Sequence, residues 1–240
     1  MSDASHDFPE GKKKQIIHFV AKAGMVDLDR LVDRFFREEH ETLLDARPRA
    51  EAFLKRLCLK GFLNARPVVL DGLKASTSGD PVKHLGSHYF TRAYCLTPRT
   101  SWEWSLPLPP NLRTNFVTHH LKTLDAIVQV EKDIFWSGEG RVVEFKMESE
   151  LVRESFAGKR FYDAKTSEAL GKYPDALLIV ERPDGTREEV RVEYVSAKYS
   201  DKMIAEKAAA WTTGRTIWAV PNHSTAARVE RLTGAPALHV

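Results

Sequence analysis

Pro174-Asp175-Ala176-Leu177-Leu178-Ile179-Val180, a break at Arg182-Pro183-Asp184-Gly185-Thr186, then Val190-Arg191-Val192-Glu193-Tyr194-Val195: this stretch decides how the C-terminal half of the chain folds. Two apolar runs around a Pro-Asp-Gly turn predict a β-hairpin. Antiparallel pairing brings the start of the first strand, with Asp175, to the end of the second, with Glu193. Two carboxylates meeting on a sheet make a place where a divalent cation could sit.

Working outward, residues 115–130 predict a helix with Phe116, His120, Leu124, Ile127 and Val128 toward one face. Residues 141–146 are strand-like, and 148–156 are polar and either helical or irregular. Residues 201–212 form a helix with a stripe of Ile204, Ala208 and Trp211, and Tyr199-Ser200-Asp201-Lys202 caps it. Thr216-Ile217-Trp218-Ala219-Val220-Pro221 is a buried strand. Residues 224–232 give a short helix capped by Ser224 or Thr225, and 237–240 a last edge strand.

The N-terminal half has a different texture. Residues 12–23, 27–39 and 48–60 predict three helices; Leu28, Leu31, Val32 and Phe35 make the clearest stripe, repeated by Ala50, Phe53, Leu54 and Leu57. Gly61 stops the third helix. Arg49, Lys55, Arg56 and Lys60 occupy its opposite surface, with Arg47 just before it. Residues 62–70 and 88–97 then read as two strands around a Gly/Ser/Lys-rich loop. Pro98, Pro107, Pro109 and Pro110 mark 98–115 as a linker between residues 1–97 and 116–240, with Trp102, Trp104 and Leu106 packing it onto one domain.

Hydrophobic content of 42% and charged content of 29% indicate a globular chain. No apolar run approaches a membrane span. Residues 1–14 are polar and lack the apolar core of a signal peptide, and Cys58 and Cys95 read as buried reduced thiols, so a cytoplasmic protein without membrane partners is expected. Residues 1–115 carry 18 Lys/Arg against 14 Asp/Glu, and residues 116–240 carry 18 against 19, which weakly favours a polyanion partner for the first half. Phosphate-cradling glycine loops, Cys-x-x-Cys pairs and Gly-x-Ser-x-Gly elbows are absent from the sequence.

Three short helices and a two-stranded ribbon, with Lys60-Gly61-Phe62-Leu63 and Tyr94-Cys95-Leu96-Thr97 flanking the ribbon, resemble a winged helix-turn-helix. That resemblance implies DNA binding, with Arg47, Arg49, Lys55, Arg56 and Lys60 toward the major groove and phosphates; dimerisation or protein contact is the other use of such a domain. Pro174-Asp175 and Glu193-Tyr194-Val195 resemble the PD-(D/E)XK nuclease superfamily. The expected fold class is therefore α+β or α/β: a winged helix followed by a restriction-endonuclease-like mixed sheet flanked by helices. Asp175 and Glu193 would hold Mg²⁺ or Mn²⁺, and a lysine two residues after the second acid would assist the attacking water. That position is Val195, so Lys198 or Lys202 would have to take the role. Glu150, or Glu131, offers a third acid.

The whole chain resembles the replication-relaxation-like proteins of bacterial mobile elements, on His119-His120-Leu121, Glu148-Ser149-Glu150-Leu151, Pro174-Asp175-Ala176 and Glu193 through Lys198-Tyr199-Ser200-Asp201. The resemblance implies a DNA-binding protein of a plasmid, phage or transposon, with a metal-dependent nuclease-like domain acting on DNA phosphodiesters. The alternative is a non-enzymatic regulator or accessory factor whose degenerate nuclease-like domain binds a replication or transposition partner or forms a homodimer.

Overall fold

A computed structural model of the chain describes residues 10–71, 88–108, 114–155, 173–196, 198–211 and 214–240. The expected loop at 72–87 and part of the expected linker, residues 109–113, lie outside them. The chain forms two compact units, Met1–Thr118 and His119–Val240. Among the described residues no helix is long and apolar enough to cross a membrane.

The first unit runs α1 (Glu10–Ala23), β1 (Val26–Asp27), α2 (Leu28–Phe35), α3 (Leu43–Leu59), β2 (Leu63–Asp71), β3 (His88–Leu96) and α4 (Pro98–Glu103). Ile16, Ile17 and Val20 of α1, Leu31 and Val32 of α2, and Leu54 and Leu57 of α3 are fully buried, so the three amphipathic stripes form one core. The sequence reading missed β1, which is only two residues long; it pairs antiparallel with β3 and completes a sheet of order β1-β3-β2. It also carries a buried carboxylate: Asp27 caps α2, accepting the Arg30 backbone N–H and its guanidinium at 2.6 Å. Two helix bounds differ from expectation. The second helix ends at Phe35, short of residue 39. The third starts at Leu43, where Thr42 and Asp45 form a reciprocal capping box, so Pro48 sits inside it.

The expected linker is partly helical. Thr97 caps α4, accepting the Thr100 N–H at 3.1 Å. Trp104 packs edge-on against Phe62, while Trp102 is 82% exposed.

The second unit comprises α5 (Thr114–Trp136, beginning just before it), β4 (Arg141–Met147), α6 (Glu148–Ser155), β5 (Ala176–Glu181), β6 (Arg187–Tyr194), α7 (Asp201–Ala210), β7 (Arg215–Val220), α8 (His223–Thr233) and β8 (Ala237–His239). Its sheet is mixed, as expected, with order β4-β5-β6-β7-β8. The first three strands are antiparallel; β6, β7 and β8 are parallel and joined through α7 and α8. The Pro-Asp-Gly turn closes the hairpin: Gly185 takes φ +83° and Asp184 accepts the Thr186 N–H at 2.9 Å. Asn222, not Ser224 or Thr225, caps α8, accepting the Thr225 N–H at 2.9 Å. Val195, Ile204, Trp218, Val220, Ala226 and Val229 form the core between α7, α8 and the parallel strands.

Candidate functional site

The regular β5–β6 ladder ends at Ala176 opposite Val192. One position further, Asp175 and Glu193 face each other, and side chains take over from the ladder. The Asp175 N–H donates to Glu193 Oε2 at 3.2 Å, and the Tyr194 N–H donates to Asp175 Oδ2 at 2.8 Å. Each carboxylate thus satisfies backbone next to the other acid, which fixes both. The hairpin reading placed this pair correctly.

The cation beside it is neither of the expected lysines. Val195 is fully buried in the apolar core, so no charge fits at that position. Lys198 is exposed, and Lys202 is 82% exposed, 3.8 Å from Glu206. Lys207, near the end of α7, reaches in instead: its ammonium donates to Glu193 Oε1 with only 12% of its side chain exposed. Tyr199 donates its hydroxyl to the same oxygen at 3.0 Å, and Lys207 lies over the Tyr199 and Trp211 rings at 5.7 and 5.4 Å. A signal for Lys207 was present in the sequence, since it stands three residues after Ile204 and four before Trp211, on the inner stripe of its helix.

Asp175 is an electrostatic neighbour of Glu148 but is not among those of Glu150. Glu148 opens α6 directly after β4, and its N–H donates to the Asp175 carbonyl at 2.8 Å. Glu150 lies two residues on, about 200° around the helix. Its electrostatic neighbours are Arg153, Glu154, Lys146 and Glu144. Glu131 falls within α5, which runs on to Trp136.

The adjacent His119 and His120 of α5 point to different sides of the helix. One of the two is enough here: His119 Nε2 lies 2.9 Å from Asp175 Oδ2. Its ring is near-parallel to that of Tyr199 (6.2 Å, 6°) and edge-on to Tyr194 (5.3 Å).

Electrostatically this is a crowded acid cluster. Burial pushes Glu193 up from the ordinary carboxylate range and the Asp175 charge adds to it, while Lys207 and Tyr199 oppose. Glu148 is pushed up to about 7, again by burial first and Asp175 second. Burial lowers the His119 pKa, but the hydrogen bond and charge of Asp175, with Glu193 and Glu148 behind it, outweigh this and the net shift is upward. Burial and the same anions raise the Tyr199 phenol far above its usual range.

Among the described residues, no three or more His, Cys, Asp or Glu side chains are grouped to hold a metal ion by themselves. The donor chemistry suits a different kind of site. Mg²⁺ keeps several waters and commonly takes only one or two carboxylates plus substrate phosphates. Mutually repelling hard-oxygen donors, Asp175 raising both Glu148 and Glu193, are what such a cation relieves.

On α3, the expected DNA-contact residues separate into two groups. Arg47 pairs with Asp29 at 2.6 Å; Arg49 is held by Glu41 and by the Phe36 carbonyl at 2.9 Å. Lys55, Arg56 and Lys60 are exposed toward the C-terminal end, with the Arg56 guanidinium 5.7 Å from the Phe53 ring. Leu44 and Leu59 on the same helix are 60% and 77% exposed.

In comparisons with protein-family models, curated proteins and solved structures, nothing matches the chain significantly.

Proposed function

We propose that this chain is a DNA-binding protein of the mobile-element type, whose second unit carries a metal-dependent nuclease-like centre acting on DNA phosphodiesters. The observation that carries the reading is Lys207 at the Asp175/Glu193 pair: an acid pair at adjoining strand ends, with a buried ammonium supplied by the next helix. The α5–β4–α6–β5–β6–α7–β7 order around a mixed sheet supports a restriction-endonuclease-like fold. The α1–β1–α2–α3–β2–β3 order supports a winged helix in the first unit, with Lys55, Arg56 and Lys60 as the phosphate-facing cations.

Asp175 and Glu148 would hold Mg²⁺ or Mn²⁺, with Glu193 behind them. When bound, such a cation would supply charge compensation for a phosphate and a more acidic water. Lys207 opposes the upward shift that burial and Asp175 impose on Glu193 and would add positive charge beside a bound phosphate. Tyr199 and His119 fix the two carboxylates and wall the site. The test is cleavage of supercoiled, linear, single-stranded and branched DNA with either metal. The reading expects cleavage that Asp175→Ala and Glu193→Ala abolish; no cleavage of any substrate by the unsubstituted chain removes the enzymatic part.

A second reading has its own observation. Both Glu193 oxygens are already engaged and the residue is fully buried. A domain stabilised by an internal ion pair, serving a DNA-binding accessory factor as a platform for a partner protein or a second copy, fits that as well. DNA affinity without cleavage selects it.

A further inference from the structure

His119, on α5, touches Asp175 and the Tyr199 ring that supports Glu193. It contacts Asp175 directly through Nε2, and Glu193 indirectly through Tyr199, on which its ring stacks. Three contacts define the ring: the carboxylate at 2.9 Å, the near-parallel Tyr199 face and the Tyr194 edge. With 27% of its side chain exposed, the imidazole forms part of the wall between site and solvent.

We infer that His119 is a positioning residue for Asp175: its Nε2–H, together with the Tyr194 N–H, holds Oδ2 and thereby presents Oδ1 to a divalent cation. Both donors converge on one oxygen instead of dividing between the two. A carboxylate held this way has one rotamer and one oxygen to offer, which is how a second layer of hydrogen bonds tunes a ligand. The ring contacts serve the same end, since they keep the imidazole from rotating its Nε2 away. A purely structural histidine would contribute packing alone, and an aromatic ring of similar breadth would replace it.

Two substitutions separate those roles. His119→Phe keeps a ring against Tyr199 and Tyr194 and removes the donor. His119→Gln supplies an N–H donor and removes the ring. The probe is Mn²⁺ alone, titrated by calorimetry into the full-length chain. His119→Phe is expected to weaken Mn²⁺ binding about 10- to 100-fold, with His119→Gln recovering most of it. Equal Mn²⁺ affinity in His119→Phe and the unsubstituted chain overturns the inference.

The binding readout rests on the metal-dependent reading above, so a second measurement is made without metal. In proton–nitrogen NMR spectra, the His119 Nε2–H is expected as a hydrogen-bonded resonance that Asp175→Ala abolishes. A resonance indifferent to Asp175→Ala overturns the positioning role whatever Mn²⁺ does. The resonance behaving as expected, with no Mn²⁺ uptake by the unsubstituted chain, supports the positioning of Asp175 and instead sinks the metal reading.

Discussion

Lys207 and Glu193, fourteen positions apart on α7 and β6, form an ion pair in which the carboxylate is fully buried and the lysine side chain 12% exposed. Removing one partner of such a pair strands the other charge. Lys207→Met is therefore expected to destabilise the chain by about 3–5 kcal/mol in chemical denaturation. The double substitution Lys207→Met with Glu193→Gln should regain most of that loss. A single substitution as stable as the parent would mean that Glu193 is neutral without its lysine.

The same geometry ranks the lysines for cleavage. Lys207→Ala should lower the rate by about 10²–10³-fold, as expected for loss of a group that stabilises transition-state charge. Lys198→Ala and Lys202→Ala, both at exposed positions, should leave the rate essentially unchanged. Rates measured side by side under saturating Mg²⁺ decide between them.

Glu148 gives the second unit a pH dependence. Its pKa rises from 4.5 in the unfolded chain to about 7 in the folded one. The folded state therefore holds this proton more tightly. The resulting stability is complete below 4.5 and is lost as pH rises through about 7, by at most about 3 kcal/mol. Glu148→Gln should remove that loss and flatten the thermal midpoint between weakly acidic and weakly alkaline pH. A Gln variant with the parent's pH profile would show that Glu148 does not titrate there.

On α3, Lys55→Ala should weaken DNA binding and reduce the salt slope by about 1. Arg47→Ala and Arg49→Ala should change affinity less, because Asp29 and Glu41 already engage those guanidinium groups. Equal effects from all three in a salt titration would show that these ion pairs open on binding.

Gly140, at φ +141°, enters β4 so close to the neighbouring strand that a Cβ would lie 2.2 Å from the Glu181 carbonyl oxygen. Gly140→Ala should cost about 2–4 kcal/mol, since backbone rather than a flexible side chain must yield. Gly185→Ala, in the hairpin turn with open space around it, should cost only about 1–2 kcal/mol from its positive φ. Thermal unfolding of the two variants tests the ranking.

The hairpin was legible because period and turn chemistry are local. Apolar runs around Arg182-Pro183-Asp184-Gly185-Thr186 specify an antiparallel pair, and that pair alone sets Asp175 against Glu193. The amphipathic helices followed from the same local signals, whereas the mixed sheet was implied by the nuclease-superfamily resemblance. Short-range competition accounts for the errors near helix ends: the Thr42/Asp45 box starts α3 ahead of Pro48, and Asn222 captures the cap that Ser224 and Thr225 also offered. The sequence by itself thus determined most of the elements, though not β1 or α4, and the acid pair. Only the tertiary structure decided which side chains complete the site. Lys207, His119 and Glu148 come from three elements outside the hairpin, and their reach depends on how α7, α5 and the end of β4 pack against the sheet. Residue spacing within a single strand places Val195 and carries no information about such convergence.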